Sequence, residues 1–165
     1  AGRHPSRNLL GIENSFSLVK VVEHRIHQAE LNNIRLLNID GQEFLEACCP
    51  AASITALHIY FPDPWPKRRH NERRLINPAF ARAVEKCLIP GGHLHFITDA
   101  QPYFAAAIPV FQHYTGLKTL KITEDSGIVS EELRVQSGYE QKYRAVGKMI
   151  YLSEFERSRG NIIES

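Results

Sequence analysis

Long apolar stretches are missing from this chain. No run reaches the roughly 18 residues a membrane-crossing helix requires, and Ala1 to Arg7 are polar with no apolar segment behind them. A soluble, non-secreted, cytoplasmic protein is the expectation. Cysteine is scarce, at three in 165 residues, and Cys48 and Cys49 are adjacent. An odd number with two neighbours suits neither a disulfide framework nor a tetrahedral metal site, so all three are expected to behave as small apolar residues in a reducing compartment. Internal repeats, low-complexity tracts and linkers are also missing. One domain over residues 1–165 is the expectation, and an apolar content of 43% is enough for its core.

A strong net charge is missing too, since the total is only +2. Its distribution is more informative. Between Phe61 and Phe80, Lys67, Arg68, Arg69, Arg73 and Arg74 face only Asp63 and Glu72, so this stretch carries +3 and the rest of the chain sums to −1. A local basic excess suits a phosphate-bearing partner, because each Lys or Arg placed on a phosphate releases condensed counterions. A solvated basic loop has the same composition.

Apolar runs alternate with helix-period segments, the pattern of an α/β domain on a largely parallel sheet. Asn8 to Ile12 reads as a strand. Val19, Val22, Ile26 and Ala29 give one core-facing side to a helix from Ser15 to Leu31. Ile34 to Ile39 is a second strand, and Asp40-Gly41-Gln42-Glu43 has the spacing of a capping box opening a short helix through Leu45. Ile54 to Phe61 is a third strand, ended by Pro62-Asp63-Pro64-Trp65-Pro66, where three prolines in five residues forbid helix and central strand alike. Asn77-Pro78 reads as an N-cap with proline at the first helical position, followed by the stripe Phe80, Ala83, Val84, Cys87 and Leu88. Gly91-Gly92 is expected to stop that helix. His93 to Thr98 predicts a fourth strand, Pro102 to Tyr114 a helix, Leu117 to Thr123 a fifth strand, Glu124 to Gln136 a loop or weak helix, and Lys148 to Phe155 a last strand. The order predicts a doubly wound sheet with a C-terminal antiparallel hairpin.

Doubly wound sheets bind ligands outside the carboxyl ends of their strands. Glu13, Asp40, Asp63 and Asp99 all follow strands directly. Glu13 suits the ribose hydroxyls of a nucleoside cofactor, although an acid there could cap the helix near Ser15, a task open to Asn14 and Ser15 as well. Asp40 has a capping task, compatible with accepting from an adenine amine through its other oxygen. Asp99 could cap the helix beyond Pro102. Asp63 precedes no helix closely enough to cap one; prolines brace it on both sides and Trp65 offers a flat apolar surface. Such rigidity suits holding a planar base near a reactive group, or a purely structural turn. Acid-proline-aromatic sequences at this strand end are also similar to those of methyltransferases acting on exocyclic amines of bases, so the motif points to a base without naming the atom.

From Phe61 through Pro66, Lys67-Arg68-Arg69-His70-Asn71-Glu72-Arg73-Arg74-Leu75, and on through Pro90-Gly91-Gly92, Thr98-Asp99, Tyr103 and Ser137-Gly138-Tyr139-Glu140, the sequence closely resembles the bacterial tRNA (guanine-N7-)-methyltransferase family. Gly11-Ile12-Glu13 and Asn33-Ile34-Arg35 to Asp40 fall in family order, so the resemblance covers nearly the whole chain. It implies a Rossmann-like class I fold, S-adenosylmethionine as cofactor and tRNA as partner, with methyl transfer to N7 of a variable-loop guanosine, usually position 46. It also implies cofactor contacts from Glu13, Asp40 and Asp63. By the same resemblance Asp63 would be the leading catalytic candidate, with substrate contacts expected from Lys67, Asp99, Ser137 and Glu140, and RNA-backbone contacts from Arg68, Arg69, Arg73 and Arg74. The family's Glu-x-Gly-x-Gly strand and turn belong just ahead of Ala1, so a further N-terminal portion is expected. Ser137 stands where the family has threonine and keeps the hydroxyl.

N7 of guanine carries a lone pair, so no strong base is needed; alignment and carboxylates facing the developing positive charge are expected to suffice. Two rivals are a non-catalytic RNA-binding homologue that has lost its cofactor site, and a nucleotide-dependent oxidoreductase, favoured only by Glu13. His24 with His27, and His93 with His95, share faces, but neither pair has a carboxylate at ligand spacing, so no metal is expected.

Overall fold

The strand and helix order read from periodicity is realised in the computed structural model, which describes residues 1–2, 4–124 and 145–159. The chain divides into two compact units, Ala1–Cys48 and Cys49–Ser165. No described helix is long and apolar enough to cross a membrane.

In the first unit, β1 (Leu9–Glu13) and β2 (Ile34–Asn38) pair in parallel, with Leu9 opposite Ile34 and Glu13 opposite Asn38. The crossover that a parallel pair requires is carried by α1 (Phe16–Gln28). Asn33 ties the entry together, its amide donating to the carbonyls of His4 and Arg7 at 2.9 and 2.8 Å. Gly11 lets Leu36 lie close, since a Cβ there would come 2.5 Å from a terminal methyl of that side chain. The predicted core face of α1 is only partly buried: Val19 is inside, but Val22 remains 37% exposed. Two strands offer too narrow a floor to cover a full helical stripe. After β2, α2 (Gly41–Glu43) widens into a π-type turn over Phe44–Cys48.

The second unit is a four-stranded mixed sheet in the order β3-β4-β6-β5, with β3 (Ile54–Tyr60), β4 (Leu88–Thr98), β5 (Leu117–Glu124) and β6 (Tyr151–Arg157). The strands β3 and β4 are parallel, and β6 runs antiparallel to both of its neighbours, as the hairpin expectation requires. Helix α3 (Pro78–Cys87) starts at the Asn77 cap, whose side chain accepts from the amides of Ala79 and Phe80, and it buries Phe80, Ala81, Ala83, Val84 and Cys87. Helix α4 (Gln101–Tyr114) buries Tyr103, Phe104, Ala107, Ile108 and Phe111. Its rings meet the sheet directly, with Phe104 5.8 Å from Phe96 and Phe111 5.3 Å from Phe155, centroid to centroid. Aromatic pairs at such spacings add to the hydrophobic gain of burying that face.

Two expectations are corrected here. Gly91-Gly92 does not stop α3, because Leu88 already leaves helical geometry at ψ 142° and begins β4. The glycines instead form an irregularity inside the strand: the pairing slips between Ile54 and Ala56, Gly91 has φ +75°, and a Cβ on Gly92 would meet the Ile89 carbonyl at 2.8 Å. The last strand is Tyr151–Arg157 rather than Lys148 to Phe155, as the residues before it do not join the ladder. The loop or weak helix expected from Glu124 to Gln136 lies, beyond Glu124, outside the described residues.

Candidate active site

Each unit carries its acids at the carboxyl ends of its own parallel strands. In the first, Glu13 ends β1 and is half-buried. Its Oε1 accepts from the Ser15 amide at 2.8 Å, and its carbonyl accepts from the Asn38 side chain at 2.9 Å. Ser15 is the N-cap residue of α1 but makes no side-chain cap; its hydroxyl lies 3.0 Å from that of Ser17. The capping task expected of Ser15 is therefore not performed by its hydroxyl, and Glu13 engages the chain there with one oxygen. Asp40 caps α2 as expected, Oδ1 accepting from the amides of Gln42 at 2.8 Å and Glu43 at 3.1 Å. Both acids are acceptors at a strand end, the chemistry that hydroxyls and an exocyclic amine call for.

In the second unit the pairing of Tyr60 with Ile97 brings Asp63 and Asp99 to the same edge of the sheet, at the ends of adjacent strands. The ladder continues one residue further, with Phe61 donating to the Ile97 carbonyl at 2.8 Å, and Phe61 packs on Ile97, Ile150 and Leu152. Phe61 and Trp65, flanking Pro62-Asp63-Pro64, both adopt left-handed backbone, with φ +48° and +41°. That conformation is costly for aromatic residues and persists only where surroundings enforce it. At Trp65 the brace is Arg74: Nε donates to the Pro64 carbonyl at 2.9 Å and Nη2 to the Trp65 carbonyl at 3.4 Å, while the guanidinium lies 5.1 Å over the Tyr103 ring. Tyr103 is 1% exposed and its hydroxyl accepts from the Ile76 amide at 3.1 Å. Burial pushes the Tyr103 hydroxyl above its ordinary pKa, and the nearby Asp63 charge adds to this. Asp63 itself is exposed, carried on a braced loop.

The basic run divides in two. Lys67 and Arg69 are exposed, and Arg73 is exposed with its guanidinium 5.1 Å over the Trp65 ring. Arg68 opens the 3-10 turn Arg68–Arg73. Arg74 is half-buried and differs from these, with Nε and Nη2 engaged by the Pro64 and Trp65 carbonyls. Asp99 caps nothing, since the N-cap position of α4 is Ala100 and makes no side-chain cap; it pairs with Lys148 at 2.9 Å. Ser137 and Glu140 lie outside the described residues. Sequence reading missed Lys148 and the inward turn of Arg74, and only the ten-residue separation of Arg74 from Pro64 hinted at a hairpin-like return.

Two further expectations change. All three cysteines are free, but only Cys49 and Cys87 are buried; Cys48 is exposed. Burial pushes the Cys87 thiol up to about 12. The carboxylate missing from the sequence neighbourhood of His93 and His95 is supplied across the sheet, where Glu154 of β6 stands opposite His95 and brings Oε1 within 3.2 Å of His93 Nδ1. Burial, with His93 beside it, lowers the His95 pKa to about 4.

This fold is that of the S-adenosylmethionine-dependent methyltransferases: the structure is similar to one such enzyme from Aquifex aeolicus with a TM-score of 0.60 at 9% identity, over 91% of this chain and 69% of that chain. A family model described as "Putative methyltransferase" matches residues 1–153. The tRNA (guanine-N(7)-)-methyltransferase of Bacillus subtilis is 32% identical over 94% of this chain and 72% of its own length. The enzyme of the same name from Bordetella pertussis is 32% identical over 93% of this chain, which spans 59% of that relative. The chain belongs to the bacterial tRNA (guanine-N7-)-methyltransferase family.

Proposed function

We propose that this chain serves transfer of a methyl group from S-adenosylmethionine to N7 of a guanosine in tRNA, at variable-loop position 46, in the cytoplasm. The observation that carries the reading is the braced loop that presents exposed Asp63 at the strand edge shared with Asp99. Membership of the family supports it, as does the local basic run.

The residues of the first unit fit the nucleoside end of that cofactor, because Glu13 keeps one oxygen and Asp40 keeps Oδ2 beyond the bonds described above. Glu13 would accept from the ribose hydroxyls and Asp40 from the adenine amine. When bound, the cofactor supplies an electrophilic methyl carbon. The chain's own task is then positional, because N7 is already a lone-pair acceptor and needs no deprotonation. Asp63 would orient the base, and its carboxylate would stabilise the positive charge that develops on the purine. Asp99 and Glu140 accept from the guanine N1–H and 2-amino group, and Ser137 contributes a hydroxyl. Lys67, Arg68, Arg69 and Arg73 lie against RNA phosphates.

Asp63→Ala tests the assignment. Turnover should drop by a factor on the order of 100 or more, the size seen when one preorganised electrostatic partner is removed, while cofactor affinity measured by calorimetry changes little. Equal loss of both defeats the catalytic role of Asp63. An unmodified tRNA-binding protein that shows no cofactor uptake at all would instead be the non-catalytic RNA-binding homologue.

A further inference from the structure

Three side chains with no part in the methyl-transfer reading converge on one face of the second unit's sheet. Residues two apart in a strand share a face, so His93 and His95 project together from β4. Antiparallel pairing sets Glu154 of β6 opposite His95. One ligating atom from each of His93, His95 and Glu154 lies within 4.8 Å of the others. We propose that these three residues form a binding site for a divalent transition metal of the zinc class, tying β4 to β6.

The donor set is chemically apt. Two imidazoles and one carboxylate are a known zinc-binding combination that leaves a fourth position for water. With metal–ligand bonds of about 2.0–2.2 Å, tetrahedral ligands sit roughly 3.3 Å apart. The 3.2 Å between His93 Nδ1 and Glu154 Oε1 is already of that size. Small side-chain rotations close the remainder.

Hydrogen bonding points the same way. His93 Nδ1 and His95 Nε2 are buried atoms that lack a hydrogen-bond partner among the described residues, the approach of His93 to Glu154 not being aligned as one. A buried polar atom without a partner is costly, and a single ion satisfies both nitrogens. Ring stacking restricts rotation: His95 lies 4.6 Å from His58 at an interplanar angle of 7°, and 6.1 Å from His93 at 14°. His58 is engaged with the Tyr60 hydroxyl at 3.2 Å.

The site lies near the surface, the side chains of His93 and Glu154 being 37% and 18% exposed although the nitrogens themselves are covered. The charged neighbours on this face include Lys121 of β5, opposite Glu154, Glu156 of β6, opposite His93, and Lys118 of β5, opposite Glu156. The site is independent of the methyl-transfer reading, and either can fail alone.

The test is titration of the chelator-treated, dialysed chain with Zn²⁺ by calorimetry and with Co²⁺ by visible absorption. One ion per chain and the strong visible bands of four-coordinate cobalt are expected. His93→Ala and Glu154→Gln, both at partly exposed positions, should keep the circular dichroism of the parent and each weaken binding by at least about tenfold, as losses around metal sites do. Replacing His24 and His27 on α1 should change nothing. Failure to bind either ion at sub-millimolar concentration overturns the proposal. So does binding that survives both substitutions, or that disappears with the α1 pair instead.

Discussion

Arg74 separates a brace from an RNA contact, and its replacement by alanine has a worked consequence. The side chain donates to the Pro64 carbonyl at 2.9 Å and more weakly to the Trp65 carbonyl at 3.4 Å, and it covers the Tyr103 ring at 5.1 Å. A charged hydrogen bond contributes about 1.5–3 kcal/mol and a partly desolvated cation–π contact about 1 kcal/mol. Arg74 is only half-buried, so the lower ends apply and the loss should be about 2–3 kcal/mol in a urea titration. The left-handed Trp65 and the Pro64 carbonyl that Arg74 restrains would then relax, moving Asp63. Methylation turnover should fall at least about tenfold, since small misplacements cost that much or more. The slope of log affinity for tRNA against log salt should stay unchanged. Arg69→Ala should do the reverse: parent stability, and a slope reduced by about 0.7–0.9, the share of one phosphate contact. An Arg74→Ala protein of parent stability whose salt slope drops as far as that of Arg69→Ala refutes the reasoning.

Other perturbations have equally definite outcomes. His95 has a folded-state pKa of about 4 against an ordinary 6.5, so the unfolded chain binds the extra proton first. Its contribution is fully present above pH 6.5 and is lost as the pH falls toward 4. With chelator present, stability should decline by about 2 kcal/mol between pH 7.5 and 5, and His95→Gln should remove that component; an unchanged pH slope in the variant counts against it. Asn77→Ala removes the cap on the Ala79 and Phe80 amides and should cost about 1 kcal/mol in the denaturation midpoint, whereas Asn77→Ser should be nearly neutral. Gly92→Ala forces a Cβ to 2.8 Å from the Ile89 carbonyl and should cost about 1–3 kcal/mol, while Gly2→Ala, whose nearest neighbour is a side-chain carbon at 3.6 Å, should be tolerated.

Local chemistry made much of this protein legible before any coordinates. The Asn77 and Asp40 caps, the buried stripe of α3 and the break at Pro62 to Pro66 all follow from residues within a few positions of one another, and each is found where periodicity and turn chemistry put it. Asp63 and Asp99 could be placed on a common edge because parallel strands end together. The burial of α1 was less legible, since a helical stripe says which face is apolar but not how much sheet lies beneath it. Gly91-Gly92 was read as a helix stop because two glycines look alike at a helix end and in a strand irregularity; only the Ile54 pairing distinguishes them.

The partners across the sheet belong to tertiary structure alone. Lys148 reaches Asp99 over 49 positions, and Glu154 meets His93 because β6 runs back antiparallel in one register. A shift of one residue would turn Glu154 to the opposite face. Composition, period and caps are short-range properties that a linear reading captures, so the sequence by itself determined the element order and the strand-end acids. Register, and the inward turn of Arg74, are decided only when the strands pair and the core closes, since each depends on groups brought together by packing rather than by proximity along the chain.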